Sequence, residues 1–377
     1  MNKFWSSAAF AAVLFAVMLL AGLHLSRKKP MWDDELYSLE CSIEARGYGE
    51  ILRAPFWSPG TEGNASPIFY LFQKAWNSAI GASGPVCPPK LLPIADQGVA
   101  TGMRLPHILA LSLAVAVGAF WCAARWGLGA AACLALLSLG SAQYWVFLAE
   151  MRPYAGWILL SSLQTILVFE SMEQGMRRGA MGILGATHLI LAFFISLSIV
   201  QIFAAFLALL LVQPKKWAPI MGACAPALLV CVIYAMWRES YRYWIPPSPG
   251  NLLFANFAKS KAVLFVVLMA GPCWMLLRPA TRRIGWASAR SGLFAVFVTG
   301  GMAAVLFWFW REHQFHPRMG AFELPSRYFL ALAPVANLTL ARMVARKTHH
   351  RGLLALTILV LVYQCGRTYL DVRGMFY

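Results

Sequence analysis

Apolar residues dominate Trp5 to Leu25. As a helix rising about 1.5 Å per residue, that stretch crosses the roughly 30 Å of a bilayer core. The charged segment before it is weak and no small-x-small cleavage site follows, which predicts an uncleaved first span rather than a signal peptide. A long polar stretch, 26–103, comes next. Apolar runs then recur at about 104–124, 128–148, 154–171, 180–213, 218–237, 260–277, 292–310, 328–345 and 351–366, separated by short charged clusters. Each predicts a helix, because a backbone in lipid must satisfy its own hydrogen bonds. The run 180–213 is too long for one span and short for two. Arg177-Arg178 before it and Lys215-Lys216 after it belong on the same cytoplasmic side, so the chain crosses twice, with Ser196, Ser198 and Gln201 at the hairpin tip. The expected fold is all-α, a polytopic transmembrane helical bundle of about eleven spans, with the N-terminus inside and the C-terminus outside. Residues 1–377 read as one integral-membrane domain: a first span at 5–25, an outer loop at 26–103 and the remaining spans over 104–366. The tail after Arg373 leaves no room for a separate soluble domain.

Composition agrees. Hydrophobic types make up 60% of the chain and charged types 12%, against roughly 45–50% and 25% in soluble proteins. This excludes disorder and an ordinary soluble enzyme. The 32 Lys and Arg outnumber the 15 Asp and Glu, a bias that taken alone suggests nucleic acid. Sorting the charges by side removes that reading. The predicted cytoplasmic loops hold 14 basic residues, among them Arg125, Arg177, Arg178, Lys215, Lys216 and Arg342, and only two acids, Glu170 and Glu173. Most of the excess is therefore positive-inside charge, which orients the chain and meets membrane lipid headgroups; no nucleic-acid partner is expected. The acids do the opposite: thirteen fall outside, seven of them between Asp33 and Glu62.

The first outer loop concentrates the chemistry. Leu36, Leu39 and Ile43 recur at helical spacing and Gly47 is a natural stop, which predicts a short amphipathic helix on the membrane face. Its start carries Asp33, Asp34 and Glu35. One reading is a capping acid and two acids favoured by the helix dipole. The other is a general base, since a carboxylate beside low-dielectric surroundings has its pKa displaced upward. A second, aromatic amphipathic helix follows from Pro67, which suits a first helical turn. Cys41 and Cys87 lie in the same loop, where an oxidising compartment permits a disulfide; their pairing stays open.

Two further outer segments carry ionisable groups. Glu150-Met151-Arg152-Pro153-Tyr154 joins the third and fourth predicted spans, at a depth where charges are expensive and usually functional; the alternative is a pair that caps two helices. Arg327-Tyr328 opens the tenth span, where Arg327 is placed either to hold a phosphate or to snorkel. His313 and His316 lack acids at ligand spacing, so no metal site is expected. Gly127 to Ala132 fits G-x-G-x-x-A, but no strand precedes it, and small residues there serve close helix packing.

The order Asp34-Glu35-Leu36-Tyr37, Ser66-Pro67-Ile68-Phe69-Tyr70, Arg104-Leu105-Pro106, Glu150-Met151-Arg152-Pro153-Tyr154 and Arg327-Tyr328 resembles the GT-C glycosyltransferases of the protein O-mannosyltransferase and aminoarabinose transferase type. The resemblance implies a bacterial inner-membrane enzyme with its active site facing the periplasm. Such enzymes take a sugar from a polyprenyl-phosphate carrier; the acceptor is a lipid, a glycan or a protein. Asp34 inherits the role of base, giving inversion at the sugar carbon. With three acids in a row the register can slip by one, so Asp33 and Glu35 stand beside Asp34 as catalytic candidates. Arg152 and Arg327 would stabilise the leaving phosphate, while Glu150, Tyr154 and Tyr37 would orient substrate. Some relatives use a divalent cation, which Glu35 and Glu150 would help bind. The family often carries a larger C-terminal periplasmic domain, which is not expected in residues 1–377. Two rivals compete: a lipid-linked sugar flippase, which predicts ionisable groups in mid-span and an internal repeat, and a non-catalytic component of a polysaccharide export complex.

Overall fold

The computed structural model describes residues 3–31, 33–44, 46–57, 66–82, 97–195, 198–237, 292–302 and 332–345, with isolated positions at 330, 359, 362, 363, 366 and 368–370. Among them there is no strand. The helices are α1 (Lys3–Lys28), α2 (Asp33–Ser38), α3 (Tyr48–Trp57), α4 (Pro67–Ala79), α5 (Gln97–Trp126), α6 (Leu128–Leu139), α7 (Ala142–Leu148), α8 (Tyr154–Gln174), α9 (Arg178–Phe194), α10 (Ser198–Val212), α11 (Trp217–Trp237), α12 (Gly292–Met302) and α13 (Leu332–Ala345). The chain is a polytopic helical membrane protein. Among the described residues α1, α5, α8 and α11 are long and apolar enough to cross a bilayer, and α6 with α7 forms an apolar pair bent at its break. The predicted run 260–277 lies outside the described residues, as do Arg327, Tyr328, His313, His316 and Cys87.

Helix α5 is the hub. It packs along α1 and against α6 and α8. The approach to α1 is close because Gly22 has no side chain: a Cβ there would lie 2.5 Å from Ile108. The run 180–213 is divided in two: α9 ends at Phe194, α10 begins at Ser198, and both pack on α11. Ser198 opens α10, and Gln201 sits one turn inside it rather than at the tip. His188 of α9 is held on both ring nitrogens, Nδ1 facing the Ala223 carbonyl at 2.9 Å and Nε2 facing the Gln164 amide at 2.9 Å. That places the Nδ1 proton toward the carbonyl and makes this mid-span histidine a packing group.

The run 128–148 bends by 69° at Gly140-Ser141. Freed carbonyls at a break in lipid need partners, and they have them: the Trp145 indole donates to Leu139 O at 2.6 Å, and the Thr368 hydroxyl donates to Gly140 O. Gly127, of the G-x-G-x-x-A pattern, has φ +98° and turns the chain from α5 into α6, so it serves a turn rather than helix contact. At that end of the bundle Arg125 Nε lies 2.8 Å from Glu170 and Arg342 Nη2 lies 2.7 Å from Glu173. The two acids assigned to the cytoplasmic side thus meet two bases assigned to the same side.

Candidate active site

The opposite end of α5 begins Gln97 to Pro106, and Pro106 has no N–H to donate to the carbonyl four residues earlier. That carbonyl, Gly102 O, accepts instead from the Trp76 indole of α4 at 2.8 Å. Met103 O accepts from Gln73 Nε2 at 2.9 Å, and Gln73 Oε1 faces His107 Nε2 at 2.7 Å. A proline in the hub helix therefore docks α4, whose Phe69 and Tyr70 are buried beneath it. The predicted amphipathic helix is also present. It runs as α2 and then as a π-helical turn, Leu39–Glu44, with Leu36, Leu39 and Ile43 buried together against Phe69 and Met103.

This packing holds three carboxylates among three cations. Glu35 and Arg104 are both fully buried, in a two-pronged pair: Arg104 Nε reaches Glu35 Oε1 at 2.9 Å and Nη2 reaches Oε2 at 2.5 Å. The remaining Arg104 N–H bonds go to the carbonyls of Ser26, Lys29 and Pro30, where α1 ends. All five donors of the guanidinium are engaged. Glu35 Oε1 also accepts from Met151 N at 2.6 Å. One carboxylate thereby ties the end of α1, the start of α2, α5 and the 149–153 loop.

Arg152, in that loop, donates to Asp34 O at 3.1 Å and to Ser38 Oγ, and its Nη2 lies 3.7 Å from Asp34 Oδ2. Its guanidinium sits 5.7 Å from the centre of the Tyr154 ring. Arg152 is nearly buried, while the Asp34 side chain keeps 28% of its exposure. Glu150 is 3% exposed and receives the Lys29 ammonium on Oε1; its Oε2 is buried with no hydrogen-bond partner. Burial pushes the Glu150 carboxyl above the usual range, against the opposing pull of Lys29. Tyr37 is exposed beside this cluster in sequence, and Tyr154 is buried.

No family model matches this chain, and no curated protein matches it in sequence. Its fold resembles that of ArnT from Cupriavidus metallidurans, solved in the apo state: the TM-score is 0.50 over 89% of this chain, at 15% identity. The chain spans 60% of the length of that protein. The likeness is one of fold.

Of the residues singled out in the sequence, the structure brings Asp34, Glu35, Glu150, Arg152 and Tyr154 into one cluster. The side chain of Asp33 and the whole of Arg327 lie outside the described residues, as does the side chain of Cys41. Among the described residues no three His, Cys, Asp or Glu converge as a metal site. Sequence reasoning gave no role to Arg104, Lys29 and Ser38. Arg104 had a signal: an ionisable residue two before a proline at the mouth of an apolar run. Lys29 had none, since a lysine just past a span ordinarily snorkels.

Proposed function

We infer that this chain is a membrane glycosyltransferase of GT-C type, moving a sugar from a polyprenyl-phosphate donor to a lipid, glycan or protein acceptor at the periplasmic face of a bacterial inner membrane. The observation that carries the reading is the contrast between neighbours: Glu35 is fully buried on Arg104, whereas the Asp34 side chain is 28% exposed, with Arg152 at 3.7 Å. Asp34 is the base. It takes the proton from an acceptor hydroxyl or amine, the acceptor atom bonds to the sugar carbon from the far side, and the bond to the phosphate oxygen breaks. Polyprenyl phosphate leaves, and the sugar carbon inverts. Arg152, with Arg327, stabilises the charge growing on the leaving phosphate. Glu35 acts as the brace that fixes α2 and so aims Asp34, while Tyr37 and Tyr154 orient substrate. The ArnT-like fold supports this reading at the level of architecture.

The test is transfer of labelled sugar from a polyprenyl-phosphate donor by purified protein. Asp34→Asn is expected to lose about a hundredfold or more while melting at the same temperature as wild type. Full activity in that variant overturns the assignment of the base. Wild-type protein that transports the lipid-linked sugar without transferring it would point to the flippase.

A further inference from the structure

The outer cluster holds two arginine–carboxylate pairs built from adjacent acids, and they close to different extents. Arg104 grips Glu35 with a fork, Nε and Nη2 each on its own oxygen at 2.9 and 2.5 Å. Arg152 stops short of Asp34: Nη2 lies 3.7 Å from Oδ2, an ion contact beyond hydrogen-bond distance. Both arginines are buried, so solvent around the guanidinium does not explain the gap.

The seats of the two arginines do. Arg104 Nη1 rests on the carbonyls of Ser26 and Lys29, at the end of α1, an element apart from the helix that carries Glu35. Seat and carboxylate are met together. Arg152 Nη1 rests on Asp34 O at 3.1 Å and on Ser38 Oγ. Both belong to α2, the same helix that carries the Asp34 carboxylate. Ser38 follows Asp34 by four residues, so the two lie on one face, a turn apart. The two N–H groups of one nitrogen thus sit on two fixed points of α2, and that seat sets how far the fork stands from the carboxylate. The Ser38 side chain is fully buried, and the Tyr154 ring stands 5.7 Å from the guanidinium.

We propose that Ser38 is a positioning residue, a spacer that holds Arg152 off the Asp34 carboxylate. The proposal rests on the reading of Asp34 as the base. With the hydroxyl gone, Nη1 keeps its bond to the Asp34 carbonyl, and the guanidinium pivots about that bond onto the carboxylate. The pair then closes at about 2.7–2.9 Å, as charge-assisted arginine–carboxylate pairs do. Lone pairs of Asp34 that would take the acceptor proton become committed to Arg152. Ser38 acts through Arg152 and touches no substrate.

The experiment is the structure of full-length Ser38→Ala beside that of wild type, both in lipid nanodiscs without substrate, together with kinetics in the transfer assay above. Wild type is expected to keep the 3.7 Å separation, and Ser38→Ala to close it to hydrogen-bond length. The kcat of that variant is expected to fall about tenfold to a hundredfold, as for one hydrogen bond to a charged group, with KM for the donor within about twofold. Ser38→Thr keeps the hydroxyl and is expected to restore the gap and most of kcat. Ser38→Cys keeps the volume but presents a weakly accepting sulfur, and is expected to behave like Ser38→Ala; this separates loss of the hydroxyl from a packing defect. An unchanged gap in Ser38→Ala overturns the spacer. So does a raised KM at full kcat, or a Ser38→Thr variant as slow as Ser38→Ala. Wild type that transfers no sugar while Ser38→Ala closes the pair sinks the base and keeps the spacer. Wild type that transfers, with Ser38→Ala equally fast and its gap unchanged, sinks the spacer and keeps the base.

Discussion

Both ends of the bundle hold ion pairs, and both use helices α5 and α8 or the turns beside them. At the inner end Arg125 meets Glu170 and Arg342 meets Glu173, helix side to helix side. The Arg125 and Glu170 side chains are 32% and 25% exposed. At the outer end the parts are the same but the construction differs. Glu35 and Arg104 are sealed, and they also bond backbone groups at the end of α1 and at Met151 in the 149–153 loop. The inner pairs join elements that already pack; the outer pair holds short elements with little core of their own. Such a brace leaves a neighbouring acid, Asp34, open without leaving it loose.

The comparison breaks most visibly at Arg104. Replacing it with methionine leaves Glu35 buried and uncompensated, a situation that costs about 3–5 kcal/mol. Arg125→Met at the half-exposed inner pair is expected to cost under about 1 kcal/mol. Melting of the purified variants in detergent checks both, and equal losses would mean that the outer pair is no brace. The same contrast extends to activity. Asp34→Asn should abolish transfer, while Glu170→Gln should leave it within about twofold, as expected for a surface pair remote from the reacting atoms. A large activity loss in Glu170→Gln would show that the inner end takes part.

Much of this arrangement was legible in the pattern of residues. Leu36, Leu39 and Ile43 announced the buried face of α2 and of the π-helical turn after it, and Pro67 announced the start of α4. The run 180–213 with its flanking basic pairs announced the break between α9 and α10. The bend at Gly140-Ser141 was not legible, because its orphan carbonyls are satisfied by Trp145 and by the distant Thr368, and neither carries a local signal. Nor was the division of labour among the three acids. Asp34 and Glu35 are adjacent, yet consecutive positions on a helix face differently by about 100°, and which one meets Arg104 depends on how α2 sits on α5. Long-range placement decides that, and a run of like residues conceals it.

The Glu150 carboxyl sharpens the contrast through pH. Its pKa is raised in the folded protein by burial, so the folded state holds a proton more tightly than the unfolded chain. Stability then falls as pH climbs from the ordinary glutamate range through the raised value. Glu150→Gln cannot titrate there and should flatten that part of the curve. Melting temperatures of wild type and variant, measured from about pH 4 to pH 8, check this; parallel curves would mean that Glu150 stays charged on Lys29 throughout.

The smallest effect tests how the outer end is assembled. Pro106 leaves Gly102 O without its helical donor, and the Trp76 indole fills that vacancy at 2.8 Å. Trp76→Phe keeps an aromatic ring against α5 but removes the N–H, which should cost about 1–2 kcal/mol for a carbonyl left without a partner. If the missing proline donor is the reason for the bond, Pro106→Ala in the same background restores Gly102 O to the helix ladder and recovers most of that loss. A double-mutant cycle on melting temperature reads this coupling directly. Additive losses would mean that α4 is held by Phe69 and Tyr70 packing alone, and that the polar contacts to α5 merely accompany it.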